Sequence, residues 1–438
     1  MMRVTGSIVV VKIQVAWRTN TLGQNAVTVE RTPVKSSFAS PRVLTGSILF
    51  LLAGLAAMGS LATNVILPVF PSMSASLGVG PRDLGLTLSS FFIAFAVGQL
   101  FVGPLADRFG RKPLVVGGLV TFVAGSAMCA LSQSLDILIL GRVIQALGAC
   151  AASVLARAIA RDLFDGDALA RVLALIMIAM AAAPGFSPLV GTGLGTLLGW
   201  RFIFVSVGLF ALALGIFYVR SMGETQPSGA KQPLRFRTVI VAYGALACDR
   251  RFIYPALSVS LTIGMLFTFF ATAPAILISE LGLTGLQLSL YFAATVFIVF
   301  GAGFLAPRLA RRWGQAQAVM IGAVIALVGS LVILTLASTP SLLSITAGLC
   351  LFLLGMGFLN PLGTAITLQP FSQNAGLASA LLGFLQMACA AIGSIAASVL
   401  LLPPTVALAS TMTVGSALAL LVFIPVIVRR PHTKIALS

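Results

Sequence analysis

Charged side chains are scarce in this sequence. Only 8% of its 438 residues are charged, while 59% are hydrophobic. A soluble domain carries about 25% charged residues, because water must wet its surface. This chain has too few charges to cover a water-facing surface of its size, which excludes a large soluble protein. We therefore expect lipid to be its main solvent, since about 20 consecutive apolar residues span a bilayer as one helix.

Histidine is also scarce, and none of the cysteines are closely spaced. The single histidine, His432, lies near the end of the chain, which excludes haem held between two intramembrane histidines. The cysteines occur singly and in odd number, so they form neither a disulfide framework nor a zinc site. They are Cys129, Cys150, Cys248, Cys350 and Cys389. Because a phosphate-binding loop, an intramembrane acid pair and a nucleophile–base pair are absent too, we expect no cofactor, no metal site and no enzymatic activity.

Acidic residues are few: the chain has 10 of them against 27 lysines and arginines, a net charge of +17. In a soluble protein this balance would suggest a nucleic-acid partner. Here the basic residues lie in short clusters between apolar runs, without interleaved aromatic residues, so no such partner is expected. The clusters fall in alternate loops, and the positive-inside rule then places both chain termini in the cytoplasm.

Twelve apolar segments are long enough to cross a bilayer, which predicts an all-α integral membrane protein. They cover residues 43–68, 84–106, 113–131, 135–160, 168–198, 202–219, 252–278, 286–306, 318–337, 341–362, 375–402 and 405–428. The predicted parts of the chain are a disordered basic cytoplasmic tail (1–42), a six-helix bundle (43–219), a cytoplasmic linker (220–251), a second six-helix bundle (252–428) and a second tail (429–438). Within the linker, the apolar stretch 238–248 is flanked by arginines, which predicts a helix lying along the membrane surface.

The loop after the second apolar segment carries a specific motif. Residues 103–113 read GPLADRFGRKP, which resembles the signature loop of the major facilitator superfamily. Gly110 allows a tight reversal of the chain. Asp107 is expected to pair with Arg111 or to face the start of the eleventh segment, because a helix N-terminus favours a carboxylate. We predict a conformational latch here, made by Gly103, Asp107, Arg108, Gly110 and Arg111.

Further motifs resemble one branch of that superfamily, the bicyclomycin/chloramphenicol-resistance group of drug–proton antiporters. The matching segments are LTLS at 86–89, GQL at 98–100, RDLF at 161–164, GWRFIF at 199–204, ET at 224–225 and AGLASA at 375–380. The resemblance implies two parallel six-helix bundles with a site between them at the membrane midplane; ARRWG at 310–314 accordingly echoes ADRFG at 106–110. It also implies drug efflux by proton antiport in a bacterial inner membrane, by a monomer that binds a small-molecule substrate.

Arg142, Gln145 and Gly148 in the fourth segment resemble the arginine motif of this group. A charged side chain at the centre of a membrane helix costs about 3 kcal/mol on insertion scales, so Arg142 should face the cavity or a partner. Two interpretations stay open. Arg142 and Gln145 bind substrate or take part in coupling, or Arg142 has a structural role and binds backbone carbonyl groups of a neighbouring helix.

The fifth segment carries Pro184, Pro188 and Gly191, which resemble the proline–glycine motif of antiporters. Thr192 stands where that motif has a glycine. Prolines bend a helix, and a glycine lets a neighbouring helix approach closely. A role in conformational change and simple helix packing would each account for these residues.

Asn64 departs from the family pattern, which has an aspartate at this position as its candidate proton carrier. An amide does not titrate in the accessible range, and none of the ten acidic residues lies in the interior of a predicted membrane segment. Asn64 is therefore expected to bond to substrate or to bridge two helices. Since proton coupling would need another group, the alternative function is a metabolite exporter or facilitator without proton coupling.

Aromatic and amide side chains complete the predicted binding surface, because such surfaces accept varied ligands. They are Phe91, Phe95, Phe267, Phe270, Tyr291 and Gln386. Apolar side chains are also stable against lipid, so some of these are expected to face outward. The preferred function is export of a small neutral or cationic amphipathic compound by alternating access of the two bundles.

Overall fold

The computed structural model describes residues 15–19, 25–29, 45–226 and 236–428. Ahead of the membrane helices, strand β1 (Val15–Thr19) pairs antiparallel with β2 (Asn25–Val29). Both strands are rich in β-branched or aromatic residues, which favour this conformation. These ten residues differ from the disordered tail expected at 1–42. The rest of that tail lies outside the described residues, where disorder stays a prediction.

Twelve helices of membrane-spanning length lie within the described residues, and they confirm the predicted all-α membrane fold. Each has 20 to 33 residues, and 20 residues of α-helix rise about 30 Å, the thickness of a hydrocarbon core. The helices are TM1 (Gly46–Leu77), TM2 (Arg82–Phe109), TM3 (Arg111–Ala130), TM4 (Leu135–Leu163), TM5 (Gly166–Leu198), TM6 (Trp200–Ser221), TM7 (Arg250–Glu280), TM8 (Gly285–Trp313), TM9 (Gln315–Thr335), TM10 (Leu342–Phe371), TM11 (Ala375–Val399) and TM12 (Pro404–Val428).

Three of the connections between these helices consist of a single glycine. Gly110 separates TM2 from TM3, Gly199 separates TM5 from TM6, and Gly314 separates TM8 from TM9. Their φ angles are +102°, +85° and +87°, a region that residues with a Cβ atom rarely adopt. Gly110 and Gly314 occupy matching places in the two halves, in agreement with the repeat seen in the sequence. The end of the molecule that carries these two loops is called the basic face below, and the other end the opposite face.

TM1 and TM7, which are equivalent helices of the two halves, both lose regular α-helical geometry towards the opposite face. In TM1 the α-helix ends at Asn64, and a 3-10 turn follows at Leu67–Val69. TM7 changes to a π-helix over Pro274–Glu280. A proline, Pro68 or Pro274, lies at each change, and proline supplies no backbone N–H to a helix ladder.

Glycines let helices approach closely at equivalent places in the two bundles. A Cβ atom at Gly148 on TM4 would lie 2.4 Å from the backbone nitrogen of Phe122 on TM3. A Cβ atom at Gly355 on TM10 would lie 2.5 Å from the backbone nitrogen of Ala326 on TM9. Such contacts between backbones are the usual basis of tight helix packing in membranes.

The linker carries a helix, Phe236–Cys248, where the sequence predicts one. Its 13 residues are too few to cross a bilayer. Tyr243 on this helix donates a hydrogen bond to the carbonyl oxygen of Leu100 on TM2, at 3.1 Å. Burial, together with the nearby charge of Asp107, raises the pKa of Tyr243 to about 12, so the hydroxyl remains a donor at neutral pH. The position of the helix along the membrane surface stays a prediction.

Candidate substrate pathway and loop network

A network of charged residues joins TM2, TM3 and TM4 at the basic face. The Nη1 atom of Arg111 lies 2.7 Å from Oδ1 of Asp107, and its Nε atom donates to Oδ2 of Asp162 at 3.1 Å. The structure thus places Asp107 against Arg111, one of the two partners expected from the sequence. Asp162 is a second carboxylate on the same guanidinium, and it ties the loop to the end of TM4.

Glu224, just after TM6, extends this network and was missed as a functional residue by the sequence analysis. Its carboxylate accepts hydrogen bonds from the backbone N–H groups of Arg111 (2.9 Å) and Lys112 (3.3 Å), where the start of TM3 favours a negative charge. Partial burial acts to raise the pKa of Glu224, but these bonds and those from the N–H groups of Gln226 and Thr225 outweigh it and hold the pKa below its usual value. The sequence did offer a signal for this role, since Glu224 is an acidic residue in a region rich in basic ones.

Two features require a glycine at position 110: the positive φ angle of the turn and the nearby carboxylate of Glu224. A Cβ atom there would lie 2.3 Å from Oε2 of Glu224, so any side chain would displace the carboxylate from the start of TM3. Of the remaining latch residues, Gly103 lines the cavity described next. Arg108 is exposed and lies over the ring of Phe109, 5.1 Å from its centroid, outside the network.

A cavity of about 210 Å³ opens between TM2, TM4, TM11 and the linker helix at the basic face. Asp107 lines it on the TM2 side, and Gly376 and Leu377 at the start of TM11 line it on the other side. The second partner expected for Asp107, the start of TM11, therefore lies across this cavity. Arg157 and Arg161 on TM4 also line the cavity.

The two bundles meet closely at the opposite face. The hydroxyl groups of Thr192 on TM5 and Ser289 on TM8 lie 2.8 Å apart, and those of Ser89 on TM2 and Ser394 on TM11 lie 2.7 Å apart. Thr192 replaces a motif glycine, so its hydroxyl bridge was not foreseen. TM2 and TM11 stay in contact as far as Gln99, beyond which the cavity begins.

The proline–glycine motif of TM5 lines this junction. TM5 remains one continuous helix through Pro184 and Pro188. A Cβ atom at Gly191 would lie 1.8 Å from the carbonyl oxygen of Val65 on TM1, and one at Gly185 would lie 2.2 Å from Val296 on TM8. The glycines therefore allow TM5 to contact both the irregular end of TM1 and the other bundle.

Arg142 is completely buried between TM1, TM2 and TM4. Its Nη1 atom donates to the carbonyl oxygen of Ala62 on TM1 at 3.0 Å and to Oε1 of Gln145 at 2.5 Å. Gln145 in turn donates to the hydroxyl of Ser126 on TM3 at 2.8 Å. The ring of Phe91 lies over the guanidinium, with its centroid 4.4 Å from Cζ. Arg142 thus binds a backbone carbonyl of a neighbouring helix, yet its Nε and Nη2 atoms bond to no residue that the structure describes.

Asn64 is buried at the last α-helical residue before the irregular end of TM1. Its Nδ2 atom donates to the carbonyl oxygen of Ser60 at 2.8 Å and to the hydroxyl of Thr63 at 3.0 Å. Both partners belong to TM1, so within the described residues the amide does not bridge two helices. Its Oδ1 atom has no hydrogen-bond partner among them.

Most of the predicted aromatic residues form one cluster that crosses between the bundles. Phe92 on TM2 meets Phe267 on TM7 edge-on, with ring centroids 5.2 Å apart. Phe270 packs against Phe292 on TM8 at 5.3 Å, and Phe292 was not predicted. Tyr291 joins this cluster, 6.4 Å from Phe292. Phe91 and Phe95 form a separate stacked pair at 5.9 Å, and Gln386 is half-buried on TM11.

Two relatives of known name are similar to this chain over most of its length. The chain is 30% identical to a chloramphenicol resistance protein of Pseudomonas aeruginosa over 316 residues, which covers 72% of this chain and 73% of that protein. It is 26% identical to multidrug resistance protein D of Escherichia coli over 392 residues, which covers 88% and 97% of the two chains.

Solved structures of transporters share the fold. The human organic anion transporter MFSD10 (TETRAN) superposes with a TM-score of 0.66 at 19% identity, over 86% of this chain and 98% of that chain. A D-xylose–proton symporter superposes with a TM-score of 0.68 at 17% identity, over 89% and 98% of the two chains. Residues 49–394 match the family model of the Major Facilitator Superfamily. The protein is therefore a multi-pass membrane transporter, not an enzyme, and it belongs to the major facilitator superfamily, where its relatives are those of the drug-efflux group that its motifs resemble.

Proposed function

We infer that this protein exports small amphipathic compounds by alternating access, with the two bundles rocking about a central site. One observation carries the proposal. Direct contacts hold the bundles together at the opposite face, whereas a cavity separates TM2, TM4 and TM11 at the basic face. This asymmetry is expected for one end state of a transporter that opens to one side of the membrane at a time.

The basic face is assigned to the cytoplasm, because loops rich in arginine and lysine stay on that side. The described conformation is then the inward-facing one, in a bacterial inner membrane. The names of the relatives, a chloramphenicol resistance protein and a multidrug resistance protein, support drug-like substrates and outward movement.

The loop network acts as the latch of this cycle. Arg111 and its carboxylate partners tie TM2, TM3 and TM4 together, and Glu224 adds the end of TM6. Asp107 faces the cavity across which TM11 begins. When the cavity closes, this carboxylate approaches the N–H groups at the start of TM11, which favour a negative charge. The latch therefore stabilises the state that is closed to the cytoplasm.

Transport without proton coupling is the second candidate, and Asn64 favours it. Every acidic residue within the twelve described spans lies within two residues of a span end. These spans accordingly offer no carboxylate at the midplane that could carry a proton through the cycle. A facilitator or metabolite exporter would need none.

Uptake of chloramphenicol and a panel of amphipathic compounds into inside-out membrane vesicles tests the proposal, because an exporter fills such vesicles. Uptake above that of vesicles lacking the protein is the expected result, and no uptake of any compound would contradict export. Repeating the measurement with an imposed pH gradient separates the two candidates. Proton antiport requires stimulation by the gradient, whereas the uncoupled mechanism requires none.

A further inference from the structure

The charges deep inside the described spans are all positive. Arg142 and Arg157, both on TM4, lie further from a span end than any other charged residue of the twelve spans. An intramembrane cation without a counter-ion is unfavourable, and arginine does not lose its proton in proteins. The pathway should therefore attract anions and repel cations.

One edge of the Arg142 guanidinium has no protein partner among the described residues. Nη1 is used by Ala62 and Gln145, and the ring of Phe91 covers the face of the group rather than its edge. Nε and Nη2 are buried and bond to no described residue. These two atoms lie on the same side of the planar group, where they form the fork that holds a carboxylate by two parallel hydrogen bonds.

No carboxylate of the described chain competes for this fork. Both ion pairs found in the described ranges are made by Arg111. The family's aspartate on TM1 is replaced here by Asn64, whose amide bonds within its own helix. The described residues therefore supply no counter-ion for Arg142.

The cavity at the basic face is lined by residues of TM4, the helix that also carries Arg142. Its charged lining residues are Arg111, Arg157, Arg161, Asp107 and Asp162. Both carboxylates are bound by Arg111, whereas Arg157 contacts the sulfur of Met180 at 3.7 Å and forms no ion pair with any described residue. Fifteen residues of helix, about 22 Å, separate Arg157 from Arg142. An anion entering the cavity therefore meets Arg157 there, and Arg142 lies deeper on the same helix, beyond the cavity.

We propose that the transported compound is a small amphipathic carboxylate, and that its carboxylate binds the Nε–Nη2 edge of Arg142. The proposal rests on the proposed function, because Arg142 is enclosed in the described conformation and is reached when the helices around it move. Phe91, which lies over the guanidinium, and the ring pair of Phe92 and Phe267 receive the apolar body. This substrate differs from the neutral or cationic compound expected from the sequence. Outward movement of an anion is downhill when the cell interior is negative, so Asn64 needs no proton-carrying replacement.

Binding of three matched compounds to the purified full-length protein tests the proposal. Naphthoate, naphthamide and naphthamidine share a ring system and a planar head group, and they differ in being negative, neutral and positive. We expect naphthoate to bind about tenfold or more tightly than naphthamide, by calorimetry. Arg142→Gln should remove this preference, and Arg142→Lys should keep part of it, because a point charge does not reproduce the fork. Arg171→Gln, which changes an exposed arginine of TM5, is the matched control and should keep the full preference.

Equal binding of the three compounds, tighter binding of naphthamide or naphthamidine, or binding of none of them would overturn the carboxylate assignment. Export itself is measured by uptake of any compound of the panel into the inside-out vesicles, so export can stand when the carboxylate assignment falls. If Arg142→Gln does not fold, the preference of Arg142→Lys for naphthoate decides: a reduced preference supports the assignment, and an unchanged one contradicts it. In proteoliposomes, an imposed potential of about 100 mV should shift the distribution of naphthoate about 50-fold relative to protein-free vesicles. An unchanged distribution would contradict movement of the anion.

Discussion

Two arginines of the first bundle lie in opposite electrostatic surroundings. Arg111, at the basic face, contacts the carboxylates of Asp107 and Asp162. Arg142, in the interior of TM4, contacts a backbone carbonyl, an amide oxygen and an aromatic ring, and no carboxylate among the described residues. Both side chains hold helices together, but only the first has its charge matched by the protein.

The difference indicates different tasks. An ion pair near the protein surface contributes little by itself, and its value lies in fixing the geometry of the helices it joins. An unmatched buried cation is retained at a considerable cost, which favours a role that depends on its charge. We therefore regard the loop network as the latch and Arg142 as the centre of the binding site.

Replacing Arg142 should have the largest effect on substrate flux of the changes considered. Arg142→Ala deletes the charge, the bond to Ala62 and the contact with Phe91, and we expect substrate flux to fall about 100-fold or more. Arg142→Lys should restore part of it. Flux into proteoliposomes, normalised to the amount of inserted protein, measures the effect. If the alanine variant transports as well as the unmodified protein, the arginine is structural.

The packing beside Arg142 offers the next largest effect. A Cβ atom at Gly191 would overlap the carbonyl oxygen of Val65, three residues beyond the carbonyl that Arg142 binds. Gly191→Ala should displace the end of TM1 or keep TM5 from closing, and we expect flux to fall several tens-fold, since overpacking costs about 1–3 kcal/mol. Gly193→Ala is the matched control, because a Cβ there would lie more than 4 Å from every described residue beyond its own turns of helix. Equal effects of the two substitutions would remove the steric explanation.

Local patterns made much of the fold predictable. Hydropathy defined the twelve helices, because each span must be apolar over its own length. The pairing of Asp107 with Arg111 followed from their spacing of four residues on adjoining helices. The glycine turn at Gly110 followed from the motif.

Contacts between distant segments were not predictable in this way. The bond from Arg142 to Ala62, the approach of Gly191 to Val65 and the bridge from Thr192 to Ser289 depend on which faces of separate helices meet. Apolar faces in a membrane carry little information on this point, because lipid and protein are similar surroundings for them. That Arg142 lacks a carboxylate partner among the described residues could be recognised only once its neighbours were known. This observation replaces the neutral or cationic substrate expected from the sequence by the proposed carboxylate.

Removing one carboxylate partner of Arg111 should lower substrate flux less than replacing Arg142 does. In Asp107→Asn, Arg111 keeps its bond to Asp162, so insertion into the membrane should be unchanged. We expect flux to fall about tenfold, because the carboxylate that approaches TM11 on closure is gone. Asp167→Asn, at an exposed acid of the first turn of TM5, should leave flux unchanged. Normal kinetics in Asp107→Asn would argue against the latch.

A carboxylate introduced near Arg142 should give this arginine a partner of the kind that Arg111 already has. Asn64→Asp places an acid on TM1, two residues from the carbonyl that Arg142 binds, where a proton can be taken up and released as the transporter changes state. We expect transport by this variant to depend several-fold more strongly on an imposed pH gradient than transport by the unmodified protein, in which dependence should be weak. Flux in proteoliposomes at several gradients measures this. Strong gradient-driven accumulation by the unmodified protein would show that a proton site exists elsewhere.

The smallest expected effect concerns Glu224, which holds the latch by accepting backbone hydrogen bonds. These bonds keep its pKa below the usual value in the folded protein. A lowered folded-state pKa stabilises the protein above the unfolded pKa, about 4.3 for glutamate, and this contribution is lost as the pH falls through the folded-state pKa. Glu224→Gln should therefore lower the Tm of the purified protein by about 1–2 °C at neutral pH. The difference should shrink as the pH falls below about 4.3 and disappear below the folded-state pKa, and a difference that persisted there would assign the effect to side-chain shape rather than to charge.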